Sequence, residues 1–278
     1  MYSGDDITVL MSIYSATNLD ELKMAISSVY DAQTVKPKEI IIVEDGPVAA
    51  DVSTFLELES LKIPLKIVVM KKNGGLATAL REGMGKVTTA LIARMDSDDI
   101  SVGNRFELQL NEFNKDPKLA IVGGSVSEFT ESVSDATSIR KLPEDNDGVR
   151  SFSKYRSPFN HPTVMMKTAD VDKVGGYKDL GKLEDYYLWV RLLNDKNVTV
   201  ENIPAVLVHM RAGGSMYKRR GGNIKMISDF WQLRRYMFDN KQLTFAQLLV
   251  SMAINASSIL VPSRVRMIMY SIFLRKKI

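Results

Sequence analysis

The sequence has 278 residues, enough for one large α/β domain with a short appendix and a sizeable core. Its 45% hydrophobic and 25% charged residues exclude a disordered chain, and the absence of cysteine with only two histidines excludes disulfides, thiolate zinc sites, cysteine nucleophiles and multi-histidine metal centres. The net charge of +4 is unevenly spread: residues 201–278 carry 13 Lys/Arg against 3 Asp/Glu, a charge of +10, which leaves −6 for residues 1–200.

Residues 1–6 hold two acids and no apolar run, so a secretory signal is not expected and a reducing, cytoplasmic setting is the default expectation. Ile7–Ile13 predicts a strand, and Asn18 then opens a helical spacing through Leu22, Ala25, Ile26, Val29 and Tyr30. Residues 39–43 read as a buried strand stopping at Glu44-Asp45-Gly46-Pro47. Residues 51–61 read as a helix and 65–70 as a strand. Gly74-Gly75 opens a helix carrying Leu76, Ala79 and Leu80. Residues 89–95 predict a fourth strand ending in Asp96-Ser97-Asp98-Asp99, followed by a helix through Phe106, Leu110 and Phe113 and a strand at 120–123. This alternation predicts an α/β fold with a right-handed, doubly wound, mostly parallel sheet flanked by helices.

The basic end reads differently. Twenty-two uncharged residues separate Lys241 from Arg264, a length that could cross a bilayer, but Gln247, Ser251 and Asn255 recur every four residues as a polar stripe on a helix. Phe245, Leu248, Leu249, Met252, Ile259 and Leu260 lie mostly away from that stripe. After Pro262 a helical apolar spacing continues among Arg264, Arg266, Arg275, Lys276 and Lys277. A basic amphipathic helical extension over 223–278 suits an anionic membrane surface. The alternative is a helical subdomain packed on the body with a solvated basic face.

Doubly wound sheets bind ligands at the carboxyl ends of their strands. Here three strand ends are polar or acidic: Ser12-Ile13-Tyr14, Glu44-Asp45-Gly46 and Asp96-Ser97-Asp98-Asp99. No G-x-G-x-x-G follows the first strand and no G-x-x-x-x-G-K-[ST] occurs, which disfavours a dinucleotide dehydrogenase and a P-loop ATPase. Three aspartates within four residues repel one another unless a cation sits among them. With no His or Cys nearby, the candidate is Mg²⁺ or Mn²⁺ on oxygen ligands, and the rival reading is a solvated strand-end turn.

The string Ile92-Ala-Arg-Met-Asp-Ser-Asp-Asp99 resembles the D-x-D strand end of family 2 glycosyltransferases. So do the first strand with Ser12 and Tyr14, Gln33-Thr34 before the strand ending at Glu44-Asp45-Gly46, and Lys72-Asn-Gly-Gly-Leu76. Asn160-His-Pro-Thr163, Gly175-Gly-Tyr177 and Glu184-Asp-Tyr-Tyr-Leu-Trp189 follow in order. The resemblance covers about residues 7–222. Within the family it is to the amylovoran-type enzymes of bacterial exopolysaccharide and O-antigen assembly, with Met216-Tyr-Lys-Arg-Arg-Gly-Gly222 the most subgroup-specific piece.

That resemblance implies a GT-A fold at 1–222, with a nucleotide-sugar half at about 1–125 and an acceptor half at about 126–222. It implies an inverting, Mn²⁺- or Mg²⁺-dependent transfer of one hexose, glucose or galactose, from a UDP-sugar. The acceptor would be a lipid-linked, undecaprenyl-pyrophosphate-type saccharide at the cytoplasmic face of the inner membrane, and the new linkage β. Ser12 would line the nucleotide-sugar site, Tyr14 would stack on the base, Asp45 would bond its edge and Lys72 would lie nearby. Asp96 would contact the ribose or metal, Asp98 would bind the metal, and Asp99 would support it or touch the sugar. Asp185 would be the general base, with Glu184 and His161 on the acceptor side. Arg211, Lys218, Arg219 and Arg220 would neutralise a diphosphate of donor or acceptor.

Each assignment has a plainer rival. Acids at 184 and 185 favour a helix N-terminus regardless of function. Tyr14 could pack beneath the sheet edge, His161 before Pro162 could serve a turn, and 218–220 could be a solvated charge run. Two features depart from relatives: Gly213 stands where many have the His of Arg-x-His, and Gln232-Leu-Arg-Arg-Tyr236 resembles the Q-x-x-R-W of processive synthases but ends in Tyr. The second reads as chance, so single-sugar addition is expected. Competing functions are a sugar-nucleotide nucleotidyltransferase, which would need a glycine-rich basic loop that 12–17 lacks, and a non-catalytic basic module on membrane or nucleic acid. Aromatic and basic residues are not interleaved as nucleic-acid stacking requires, so no nucleic-acid partner is expected.

Overall fold

The computed structural model describes residues 1–136, 138–212, 225–260 and 276–277, with backbone only at 258–260 and 276–277. The first strand, β1 (Ile7–Ile13), leads into α1 (Leu19–Val29), where the Asn18 side chain accepts the Asp20 and Glu21 N–H groups at 2.9 and 3.1 Å. Leu22, Ala25, Ile26 and Val29 form its buried stripe. Next come β2 (Glu39–Glu44), α2 (Ala50–Ser60), β3 (Leu65–Val69), α3 (Leu76–Met84) and β4 (Leu91–Arg94). They are followed by the two-residue β5 (Ile100–Ser101), α4 (Arg105–Lys115) and the long β6 (Leu119–Phe129). The second half holds β7 (Ser138–Arg140), α5 (Asn146–Phe152), β8 (Met165–Lys167), α6 (Thr168–Lys173), α7 (Glu184–Leu192) and β9 (Thr199–Arg211). Beyond it lie α8 (Lys225–Asp239), α9 (Phe245–Leu260) and β10 (Lys276–Lys277).

One sheet runs through the molecule in the order β10-β7-β6-β8-β4-β1-β2-β3, with β9 beside β6 and β5 beside β9. The doubly wound half, β3-β2-β1-β4, is parallel as expected, in a register that sets Ile13 opposite Glu44 and Leu10 opposite Arg94. All its carboxyl ends therefore open on one edge. The other half is mixed: β8 lies antiparallel between β4 and β6, β5 and β7 are antiparallel to their neighbours, and β6–β9 is parallel. That long β6–β9 pair carries Met210 and Arg211 to the same edge as the acidic turn.

Strand alternation divides the core. Ile7, Val9, Met11 and Ile13 face α1 and α4, burying Phe106, Leu110 and Phe113, while Leu10, Ile41 and Val43 face Ala79 and Leu80 of α3. A third cluster joins Leu183, Tyr186 and Val190 to Leu233 and Met237, so α8 packs directly on α7. At about 1.5–3 kcal/mol per fully buried large apolar side chain, these faces supply the main driving force for folding. The boundary expected after residue 222 falls within 213–224, outside the described residues.

The polar stripe of α9 faces inward. Ser251 and Asn255 are buried, while Phe245, Leu249, Val250 and Ile254 are exposed. Among the described residues no helix is long and apolar enough to cross a membrane.

Candidate active site

The strand ends define a cavity of about 780 Å³ at the carboxyl edge of the sheet. Ser12 and Tyr14 border it from β1, Asp45 from β2, Asp96, Asp98 and Asp99 from the turn after β4, and Arg211 from β9. Six of the seven expected nucleotide-sugar residues thus meet in one place, joined by Arg211, which was expected to neutralise a diphosphate. Tyr14 is 40% exposed at the mouth, so it does not pack beneath the sheet.

Asp45 holds the far rim. Its carboxylate accepts the Gly74 and Gly75 N–H groups at 2.6 and 3.0 Å, and the Asn73 side-chain amide donates to the Asp45 carbonyl at 3.1 Å. The turn that makes this possible needs glycine at 46: φ is +79°, and a Cβ there would stand 2.5 Å from the Asn73 nitrogen. Lys72 is exposed and lies outside the residues that line the cavity.

One carboxylate oxygen from each of Asp96, Asp98 and Asp99 falls within 4.8 Å of the others. Burial, with Asp96 alongside, pushes the Asp98 carboxyl up to about 6. Asp99 is 2% exposed, and burial together with both neighbouring acids drives it well above the carboxylate range. Its Oδ1 accepts the Arg211 N–H at 2.9 Å, while its Oδ2 is buried with no hydrogen-bond partner. Three clustered carboxylates, one with an orphaned buried oxygen, form a donor set that suits a hard divalent cation.

Behind them lie two buried arginines. The Arg94 guanidinium pairs with Asp96, which keeps it charged although burial opposes the charge. Its Nε and Nη1 have no partner. Arg105 donates to the Arg94 carbonyl at 2.8 Å and to the Gln109 side chain at 3.1 Å, and burial with the nearby Arg94 charge lowers it to about 9. Arg211 donates to the Asp98 carbonyl and pairs with Glu21, each at 3.2 Å, so it belongs to the same cavity wall as the acidic turn.

Glu184 and Asp185 open α7, and Glu184 lies within reach of the Arg94 charge. Burial, then the Asp185 charge, raises the Glu184 carboxyl to about 7, and its Oε2 is buried without a partner. Asp185 Oδ1 accepts the Tyr186 N–H at 2.6 Å at the start of α7. His161 bonds the Tyr177 hydroxyl through Nε2 at 2.8 Å and meets Trp189 edge-on at 5.9 Å. Burial and the Arg94 charge press it well below its usual range, so it stays neutral. None of these three borders the 780 Å³ cavity. Gly213, Lys218, Arg219 and Arg220 lie outside the described residues.

Sequence reasoning missed Glu21, Asn73 and Arg94. Glu21 lies in the first turn of α1, where an acid is ordinary, and nothing local in the sequence ties it to Arg211. Arg94 did leave a signal, a lone charge inside the apolar run before Asp96.

Residues 8–174 match the profile of Glycosyl transferase family 2. The chain is 33% identical over 269 residues to an Escherichia coli protein named UDP-Gal:alpha-D-GlcNAc-diphosphoundecaprenol beta-1,3-galactosyltransferase, covering 97% of this chain and 96% of that one. This chain belongs to glycosyltransferase family 2. A second family member, the amylovoran biosynthesis glycosyltransferase AmsE of Erwinia amylovora, is 33% identical, with 95% and 97% of the two chains covered. Two solved structures share the family's GT-A-type fold. One is S. aureus TarS in complex with UDP (TM-score 0.63, 15% identity, 97% of this chain and 75% of that one). The other is the mannosyltransferase PcManGT of Pyrobaculum calidifontis with GDP-Man and Mn²⁺ (TM-score 0.63, 12% identity, 98% and 80%). The family assignment makes this chain a glycosyltransferase and removes the nucleotidyltransferase and non-catalytic readings.

Proposed function

We propose that this glycosyltransferase moves one hexose, galactose or glucose, from a UDP-sugar to a lipid-linked saccharide diphosphate in bacterial surface-polysaccharide synthesis, inverting the anomeric carbon to a β-linkage. The observation that carries the reading is the convergence of Asp96, Asp98 and Asp99 on a cavity bordered by an exposed Tyr14. Tyr14 offers a ring face for a base. Asp45, oriented by two backbone N–H groups, retains lone-pair sites for the edge of that base. Asp98 and Asp96 would hold Mn²⁺ or Mg²⁺, with the unpartnered Asp99 oxygen completing the acidic side. When bound, such an ion supplies Lewis-acid stabilisation of the leaving diphosphate. Arg211 adds fixed positive charge beside Asp98.

Inversion requires a group that takes the acceptor hydroxyl proton from the side opposite the diphosphate. Asp185 is assigned that role, with Glu184 as its neighbour on the acceptor side and His161 as a neutral wall. The +10 segment and the exposed apolar residues of α9 support seating on the cytoplasmic face of the inner membrane, where a lipid-linked acceptor would lie.

The test is transfer by the purified chain with UDP-galactose and UDP-glucose, an undecaprenyl-diphosphate-linked GlcNAc acceptor, and Mn²⁺ or chelator. Metal-dependent product from one donor, lost in Asp185→Asn while UDP still binds, is expected. No metal-dependent transfer across a donor panel by folded protein would sink the proposal.

A further inference from the structure

We propose that Arg234, on α8, is a positioning residue for transfer, holding through Tyr186 the segment that carries Glu184 and Asp185. The inference rests on the reading of Asp185 as base. Arg234 is fully buried. Its Nη1 donates to the Tyr186 hydroxyl at 2.8 Å and to the Ser153 carbonyl at 3.4 Å, and its Nη2 donates to the Tyr155 carbonyl at 2.8 Å. Tyr186 in turn donates to the Ser153 carbonyl at 2.5 Å, and the guanidinium lies 5.1 Å from the Tyr186 ring centroid. Tyr186 directly follows Asp185, and its own N–H bonds the Asp185 carboxylate at 2.6 Å. One guanidinium thus locks the ring whose backbone orients the carboxylate.

A second contact from the same helix brackets the segment. Asp229, one and a half turns before Arg234, lies against Gly181, where φ is +63° and a Cβ would stand 2.3 Å from Asp229 Oδ2. The stretch 181–186 is therefore gripped on both sides of Glu184-Asp185 by α8, which lies outside the family profile.

Packing alone does not call for this residue. Taking a guanidinium out of water is costly, and among the described residues no carboxylate forms a salt bridge with Arg234. An aliphatic side chain in the Leu233–Met237 cluster would fill the volume without that cost. What arginine adds is a rigid planar fork satisfying three oxygens in fixed directions. It ties the loop after α5, the start of α7 and α8 into one unit. The Q-x-x-R pattern falls on Arg235, which is exposed, so the buried Arg234 owes nothing to that motif.

The test compares Arg234→Met and Tyr186→Phe with wild type in the full chain, reading kcat, donor KM, UDP affinity with Mn²⁺, and melting temperature. Both variants are expected to lower kcat, by roughly ten- to a hundredfold for Arg234→Met, with donor KM and UDP affinity within about twofold. In an Asp185→Asn background the residual rate should not fall further, because the arginine acts through the carboxylate already removed. Unchanged kcat in a folded Arg234→Met protein, or an equal loss in the Asp185→Asn background, overturns the inference. If Arg234→Met does not fold, Tyr186→Phe decides, and full kcat there overturns it. Asp185→Asn alone separates the premises: full transfer in that variant sinks the base assignment, whereas a dead Asp185→Asn beside fully active clamp variants sinks only the role of Arg234.

Discussion

Replacing Glu184 by Gln makes the electrostatics at the start of α7 measurable. The Glu184 carboxyl is raised from 4.5 to about 7 by burial and by Asp185, so the folded state binds its proton more tightly than the unfolded chain does. Stability from this group is present below about pH 4.5 and is lost as pH rises through about 7. A shift of about 2.5 units at 1.36 kcal/mol each is about 3 kcal/mol in full. Glutamine mimics the protonated acid and loses nothing on titration. The stability advantage of Glu184→Gln over wild type should therefore grow by about 2–3 kcal/mol between pH 5 and pH 8. Urea unfolding of both proteins at unit pH steps reads this directly, because Asp98 and His209 titrate in both and cancel in the difference. Adding Asp185→Asn to each should shrink the growth, since the Asp185 charge is the second cause of the shift. Parallel stability curves for the two proteins, within about 0.5 kcal/mol, would refute the buried, acid-flanked placement of Glu184.

Arg94→Met should destabilise the fold by roughly 2–3 kcal/mol, less than a fully buried pair would lose, because Asp96 is partly solvated. It should also weaken UDP–Mn²⁺ binding, and thermal melts with UDP titration check both effects. Gly46→Ala forces a side chain into a left-handed turn against Asn73 and should cost about 1–3 kcal/mol, with UDP affinity falling as the Asp45 rim shifts. Replacing Phe245 and Leu249 by Ser should cut sedimentation with anionic liposomes while leaving UDP binding intact; unchanged sedimentation would remove α9 from the membrane proposal.

The first half of the fold was legible because β1 to β4 and α1 to α4 each bury one continuous pattern. Their ends placed Tyr14, Asp45 and the Asp96–Asp99 turn together without further information. The second half was not. The sequence pattern marks β6 only over 120–123, and the strand runs on to Phe129, because Gly123 and Gly124, where a Cβ would strike Phe159 and Leu207, and the buried Ser125 and Ser127 break the apolar run. The strands β5, β7 and β8 are two or three residues long, too short to show a period. Pairings such as Glu21 with Arg211 and Tyr186 with Arg234 join residues far apart in the chain, and only the folded register brings them together. The spacing of the α9 stripe is legible, but the face that turns inward, with Ser251 and Asn255 buried, is set by the fold rather than by the sequence pattern.

The central claim is that the Asp96–Asp99 turn holds a dication against a sugar-nucleotide diphosphate. Calorimetric titration of UDP into wild type and Asp98→Asn, each with Mn²⁺ or with chelator, tests it most directly. Mn²⁺ should tighten UDP binding to wild type by roughly 10- to 100-fold and do nothing for Asp98→Asn. Equal UDP affinity in all four titrations would contradict it.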